Sequence, residues 1–558
     1  MFKRSLLLAG VAALALGGCG KKDGAGAPET KSSAAAAQTN AGSPLDAPFA
    51  LKGAEAVEAD AIFALLPEGG RPTYETAAFD EKLGATVVTG LVFSDDDDGS
   101  DEKLLVERAE FYGVDLDAIE RAKTGVGAID APFESIFQKV RLFGLTTQSA
   151  DENDADASIG AVEIDRFRIR QGGFAEDEEN AKGVGHFFNA FDLAGLYFKD
   201  INVAGEDSEE GGKLAFKAPD LRFVGLGGGK LGAMIVKNAE YEIVQTPEAR
   251  QAMAESFGPQ GAMLLNGPLA AFIAPANQRV TMKSFEWRSV DLSGWMGYAL
   301  KDEKPPLTAR NLINLGTMKI LDTTTHIDGR KAATVAEATV SAAEFTWLMP
   351  SKIRTETKGA VYDFSAYLPP EEEKALEIVK RHGLNNVKGA GTFAWDWDAD
   401  KGGAALATDF DTQGLADLDF DMALAGLELE KINKAMEAGQ NDAVAEYGAF
   451  KSFTMTIVDE KLLDAVFDIA GLQMNQSGAD LRASAPAMIR LSGMQAAALS
   501  PRIADYVEAF ASFVAEGGAL NIAAKPAEPV TFKALSEIGQ TGPQAVPDTI
   551  NLTVTHKK

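Results

Sequence analysis

From Val87 onward the chain alternates apolar and polar positions in short runs separated by acid- and glycine-rich breaks. Val87–Phe93 and Leu105–Gly113 flank a charged break, Ser94–Leu104. Comparable runs follow at Val162–Arg170, Leu193–Val203, Lys213–Leu226, Ala239–Gln245, Val280–Gly294, Met318–Asp328, Thr334–Leu348 and Lys358–Leu368, and again at Gly391–Asp398, Ala405–Asp411 and Leu418–Leu424. Alternation of period two sets one face of a strand on a core and the other in water. Short acidic or glycine breaks favour antiparallel neighbours. No fixed repeat length emerges, which excludes a solenoid or propeller with a readable period. Helical signals interrupt the pattern. Thr246 caps Pro247–Phe257 before Gly258; 260–273 is small and apolar; Pro370–Gly383 starts with acids and ends with Lys, Arg, His and Gly. Further helices are expected at Glu428–Ala438, Lys461–Ala470, Ala485–Gln495, Pro501–Glu516 and Phe532–Glu537. Strands are expected at Phe450–Val458, within Leu472–Ala485, at Ala519–Lys525 and at Thr549–Thr555. The expected fold is α+β and β-dominated. It is a long antiparallel twisted meander, one sheet or several, with interspersed short helices and a helix-richer C-terminal third.

The N-terminus carries an address. Lys3 and Arg4 precede an apolar run, Ser5–Leu16, too short for a hydrocarbon core of ~30 Å but suited to a signal peptide. It ends in Leu16-Gly17-Gly18-Cys19, which resembles the lipobox of bacterial lipoproteins. That resemblance implies cleavage before Cys19 and acylation of Cys19, the single cysteine of the chain. Gly20 at the next position implies the outer membrane. More than one acyl chain makes such anchoring stable. Residues 20–48 are small, polar and aperiodic, a tether spanning roughly 30 Å in root-mean-square terms. The domain reading is therefore signal peptide 1–18, lipidated Cys19 and tether 19–48, a β-rich region 49–385 with short helices, and a mixed C-terminal region 386–558.

Composition narrows the chemistry. Of 558 residues, 53 are Lys or Arg and 82 are Asp or Glu, a net charge of −29 that excludes a nucleic-acid partner. A body so charged is repelled by anionic headgroups. One cysteine excludes a disulfide framework and cysteine-cluster metal sites, and four histidines leave little for a histidine metal centre. Gly225–Gly232 has the letters of a dinucleotide fingerprint without a βαβ context or an acidic ribose partner, and reads as a turn between strands. No nucleophile elbow or H-E-x-x-H occurs. His382 reads as a helix-end cation, His556 as tail, and His186 and His326 as structural. No cofactor and no catalytic residue is assigned.

The remaining constellation is acidic: Asp396, Asp398 and Asp400 alternate with Trp395 and Trp397, followed by Asp409, Asp411, Asp417, Asp419 and Asp421. On consecutive strands these place aspartates on one face and aromatics on the other. Opposed like charges destabilise a sheet, so a staggered register or a cation is expected there. Asp396, Asp398, Asp409, Asp411 and Asp419 are candidate Ca²⁺ ligands, against the plainer reading of a solvated acidic face. Asp95–Asp98 and Asp151–Ser158 are similar fragments without the closing Glu of a calcium loop. Phe285, Trp287, Trp295, Phe345 and Trp347 either fill a core or line a groove.

The body, acid-turned hairpins behind a membrane signal over Val87–Leu424, resembles AsmA-type envelope proteins. It departs from them by starting with a lipobox rather than a transmembrane helix. The resemblance implies long twisted sheets that handle lipid or support the outer membrane. The expected function is a non-enzymatic, lipid-anchored envelope protein facing the periplasm. Its membrane contact is the N-terminal lipid, and a lipid or another envelope protein is its partner. A protein- or glycan-binding module and a carboxylate-dependent hydrolase are the alternatives.

Overall fold

A computed structural model describes residues 44–64, 66, 71–94, 103–123, 131–148, 156–170, 189–206, 212–256, 275–301, 303–306, 308–497, 501–542 and 545–558. The signal peptide, Cys19, His186, Asp95–Asp98, most of Asp151–Ser158 and the apolar 260–273 lie outside the described residues.

Every described strand joins one 19-stranded sheet. It runs through β1 (Thr76–Asp80), β2 (Ala85–Ser94), β3 (Lys103–Tyr112), β4 (Phe133–Gln148), β5 (Asp156–Arg170) and β6 (Phe191–Glu206). It continues through β7 (Lys213–Gly227), β8 (Lys230–Val244), β9 (Asn277–Asp291), β10 (Gly316–Ile327), β11 (Arg330–Thr346) and β12 (Met349–Tyr362). It closes with β13 (Val387–Asp398), β14 (Gly403–Gln413), β15 (Ala416–Ala425), β16 (Ala449–Asp459), β17 (Gly518–Ala524), the two-residue β18 (Val530–Thr531) and β19 (Leu552–Lys557). Each strand up to β17 pairs antiparallel with its successor; β17 then pairs with β19, and β18 lies against β16. The expected β-dominated meander with short helices is the observed fold. The ladder passes from β12 to β13 without a break, so a single sheet crosses residue 385.

Several local expectations are refined. Helices form at Pro247–Ser256, Glu373–Arg381, Leu429–Glu437, Leu462–Met474, Pro501–Glu516 and Phe532–Thr541. Thr246 Oγ1 accepts from Ala249 N at 3.2 Å, the cap its position promises. Leu472–Ala485 contains no strand: a left-handed Asn475 ends one helix, and Gly478–Ala497 forms another straight after it. The run after Val280 stays extended only to Asp291; Asp291 Oδ1 then caps Ser293 N, and Ser293–Ala299 turns helical with Trp295 on it. His556 belongs to β19, its Nε2 2.7 Å from the Gly517 carbonyl, and is not a loose tail. Gly225–Gly232 is the β7–β8 hairpin.

The strands do not alternate strictly. At one level of the sheet the ladder skips a residue on both partners, from Gly90 opposite Glu107 through Gly144, Gly160, Asp200, Asn238, Lys283, Asp322 and Ala336 to Gly359. Every second strand carries a positive φ there: Gly90 (63°), Gly144 (60°), Asp200 (55°), Asn238 (50°), Asp322 (48°) and Gly359 (59°). Gly, Asn and Asp are the residues that tolerate this region. A second crease crosses the other strands at Arg166, Gly225 and Ser289, all with positive φ. At each crease two successive side chains point to one face, so residues on the other face are spaced by three. Val106 and Ala109, Leu142 and Leu145, Phe198 and Ile201, and Met282 and Phe285 show the spacing within shared clusters. The face holding the doubled residues is the longer one, and the sheet curls away from it, as strands do at bulges.

The creases yield a stability prediction. Gly144→Ala forces a Cβ into the left-handed region and against the Glu107 side chain. It is expected to destabilise by about 1–2 kcal/mol in urea titration. Asn238→Gly, which relieves the same conformation, is expected to leave the midpoint unchanged or raise it.

Candidate functional site: the apolar face of the sheet

One row of side chains crosses the sheet in register. It runs Val88, Ala109, Leu142, Val162, Phe198, Leu221, Val236, Phe285, Ile320 and Ala338. Through Thr357 and Gly391 it continues to Phe410, Leu418, Ile457, Leu520 and His556. The neighbouring row is apolar from Phe111 through Val140, Ile164, Leu196, Phe223, Met234, Trp287 and Met318 to Val340, and then runs Thr355, Phe393, Thr408, Phe420, Met455, Ile522 and Val554. Phe285 and Trp287 therefore lie on one face, as their spacing predicts; Trp295 sits on a helix, 39% exposed.

The face is covered differently along its length. At the N-terminal end the helix Ala59–Phe63 packs Ile62 and Phe63 onto Val88, Val106, Phe111 and Val140. Over β5–β10 the cluster of Ile201, Ala218, Val236, Ala239, Met282 and Phe285 is buried with strand residues alone among the described residues. At the C-terminal end Ala509 and Phe513 of the helix Pro501–Glu516 cover Leu520 and Val554, and before them the row lines a recess of about 310 Å³. Its lining is Phe410, Thr412, Ala416, Asp417, Leu418, Ile457 and Leu462, the last from the helix Leu462–Met474.

The opposite face is charged, and in the N-terminal half it is covered. Glu110, Arg141, Glu163, Tyr197 and Arg222 follow one another across β3–β7. Glu163 is fully buried and holds two cations, Lys139 Nζ at 2.5 Å and Arg141 Nε at 2.7 Å. Arg141 Nη2 also donates to the carbonyls of Ala47 (2.9 Å) and Pro44 (3.2 Å). Lys199 pairs with Asp46 at 2.5 Å, and Leu45 packs on Tyr197, Val224, Ala233 and Ile235. Phe49 stands edge-on to Tyr112 at 4.9 Å, beneath the Lys139 ammonium. The segment 44–49 is thus strapped to the polar face, and its contact with the sheet includes Pro44, ahead of Phe49. Burial pushes the Tyr197 hydroxyl up to about 12, with Asp165 and Glu163 adding to the shift.

The aspartates occupy the polar face of β13–β15, as alternation requires, but without the expected stagger. Asp409 stands directly opposite Asp419, and Asp411 opposite Asp417. Partial burial, then the Asp411 and Glu460 charges, raise the Asp417 carboxyl above the usual range. Asp396 is taken by Arg354, which reaches both its oxygens at 2.7 Å, and Asp398 by Lys401 at 2.9 Å. No group of three or more His, Cys, Asp or Glu side chains is arranged to hold a metal among the described residues. His382 Nε2 lies 2.7 Å from Asp468 Oδ2, tying the end of Glu373–Arg381 to the middle of Leu462–Met474. His326 Nδ1 is buried without a partner at the end of β10. Sequence reasoning missed the Glu163 network. Its signal was the opposite-charge succession Glu110, Arg141, Glu163, visible only once the register is known.

Residues 409–557 match a family described only as "Uncharacterized protein". The match spans the recess, the helices after it and the closing strands. No curated protein matches the chain. No helix among the described residues is long and apolar enough to cross a membrane.

Two substitutions test the polar face. Glu163→Gln leaves Lys139 and Arg141 buried beside a neutral amide; removing one partner of a buried ion pair costs about 3–5 kcal/mol. Urea titration is expected to show that loss, with faster proteolysis before Phe49 as the strap loosens. Asp417→Asn is expected to stabilise by a few tenths to about 1 kcal/mol at pH 7, the scale of one opposed like-charge pair. Because folding raises this carboxyl's pKa, the folded state holds its proton more tightly, and the aspartate destabilises only once ionised. The gain from Asn therefore vanishes as pH falls below the ordinary aspartate range near ~3.9.

Proposed function

We propose that the chain is a non-enzymatic, lipid-anchored protein of the bacterial envelope, held by acylated Cys19 and facing the periplasm. On this reading its apolar sheet face binds the acyl chains of lipids. The observation that carries it is the recess of about 310 Å³ on the apolar face between Phe410, Leu418, Ile457 and Leu462. A core closed by a second layer would bury this row along its whole length. Here the row is covered by the helix Ala59–Phe63 near β2 and by the helix Pro501–Glu516 at Leu520, and before Leu520 it lines open space at Phe410, Leu418 and Ile457. The charged face, with its strap and its paired aspartates, is already occupied by its own ions.

Acyl chains suit such a surface because each buried methylene contributes about 0.8 kcal/mol without directional demands. Native mass spectrometry of residues 19–558 carrying Cys19→Ser, kept free of detergent, is expected to show adducts of phospholipid or fatty-acid mass. Leu418→Asp places a charge in the recess and removes contact worth at least two methylenes, so occupancy is expected to fall about tenfold or more. An unmodified mass throughout, or adducts indifferent to Leu418→Asp, counts against the reading.

A further inference from the structure

The recess on the apolar face has neighbours that fix its size. On one flank Ile457 joins Leu463 and Leu520 beneath Ala509 and Phe513 of the helix Pro501–Glu516. On another, Leu415, next to the lining residue Ala416, packs on the cluster of Val379, Leu384 and Ala465. Toward β13 and β12 the row passes from Phe410 to Gly391 and the buried Thr357, which interrupts its large apolar side chains there. The space is therefore a short compartment and not one section of a groove running across the sheet. A methylene takes the room of a water molecule, about 30 Å³. A recess of about 310 Å³ thus holds roughly ten of them. That is too few for both chains of a phospholipid filling half of a ~30 Å hydrocarbon core.

The lining offers nothing to a polar head. Its one hydroxyl, on Thr412, is used within the β14–β15 hairpin: it donates to the Ala416 carbonyl and accepts from Ala416 N at 3.2 Å. Asp417 turns its carboxyl to the other face, beside Asp411. The backbone here is taken up by the ladders of β14 with β15 and β15 with β16. None of the buried side-chain polar atoms left without a partner among the described residues belongs to the lining. A headgroup drawn into such a space would give up its hydrogen bonds to water and find none in return, so it stays outside.

We propose that the recess takes one acyl chain at a time by roughly ten terminal carbons, leaves the headgroup in water, and selects ligands by chain length rather than by headgroup. Selection by length rests on the lipid-binding reading of the same recess and adds the class of ligand, a single chain on any head. Each methylene that enters contributes equally, and each one beyond the filled recess stays in water and contributes nothing.

The test uses residues 19–558 with Cys19→Ser and measures displacement of a fluorescent acyl probe. The competitors are two series of increasing chain length, monoacylglycerols and lysophosphatidylcholines, each kept below its aggregation limit. Neither head carries net charge, so the chain's own −29 does not sort them. In both series Kd is expected to fall about fourfold per added methylene up to roughly ten carbons and then to level off. At each length the two heads are expected to agree within about threefold. Ala416→Leu fills the space of about three methylenes and is expected to move the break that far toward shorter chains; Leu462→Ala is expected to move it toward longer ones. Affinity that climbs steadily to the longest chain, a difference of about tenfold between heads of one length, or a break that neither variant moves overturns the proposal and leaves acyl binding standing. The series on the unaltered recess decides even where a variant unfolds. No displacement at any length overturns the lipid-binding reading, and selection by length with it.

Discussion

Register is the constraint on which this molecule depends. In a sheet of this width each strand's facing is inherited from its neighbour, and a slip of one residue between any two strands would send every later side chain to the wrong face. The creases sharpen that demand. Each one shifts the alternation by a residue, so it has to occur at the same level in every strand it crosses. Gly90, Gly144, Asp200, Asn238, Asp322 and Gly359 meet this requirement on alternate strands, each opposite an ordinary residue of the next. Were Asn238 one position later, Val236 and Ala239 would no longer join Met282 and Phe285 on one face. The apolar row is therefore the product of coordinated backbone conformations as much as of apolar composition.

The two faces solve different physical problems. The polar face takes the charges and neutralises them locally by cross-strand pairs such as Lys319 with Glu337 and Arg354 with Asp396. Where charge is buried, at Glu163, two cations and the strap's carbonyls satisfy it. An unpaired buried charge would cost far more than a neutral replacement of the whole network. The strap also fixes the segment from Pro44 to Phe49 on the polar side of β4–β6.

Much of this was legible in the residues, and the failures have a common cause. Alternation located the strands because half-buried strands must alternate, and Pro247, Pro501 and the flanks of Glu373–Arg381 announced their helices through terminal chemistry. Creases were invisible because Gly144, Asn238 and Asp322 read as turn residues in isolation; only a paired ladder shows them inside continuous strands. Leu472–Ala485 read as partly extended because its small residues carry no strong period, whereas the Asn475 cap and packing against Pro501–Glu516 decide for helix. The face of the aspartates was readable from their alternation with Trp395, Trp397 and Phe410. Their direct opposition was not, since register is a property of the hairpins and not of either strand alone.

The apolar face is covered unevenly along its length. Positive-φ creases inside described strands are confined to β12 and earlier, where the cluster of Ile201, Val236, Met282 and Phe285 is buried. From β13 onward no described strand interior has a positive φ, and Phe410, Leu418 and Ile457 line the recess. Helices cover the face at both ends, Ala59–Phe63 over Val88 and Val106 and Pro501–Glu516 over Leu520 and Val554. The helix Leu462–Met474 starts at the edge of the opening and packs its Ala465 and Leu472 toward Val379 and Leu384, while Leu463 joins Ile457 and Leu520 under the helix Pro501–Glu516. Because that helix divides its buried side chains between two clusters, only Leu462 of it lines the recess, and the recess stays open.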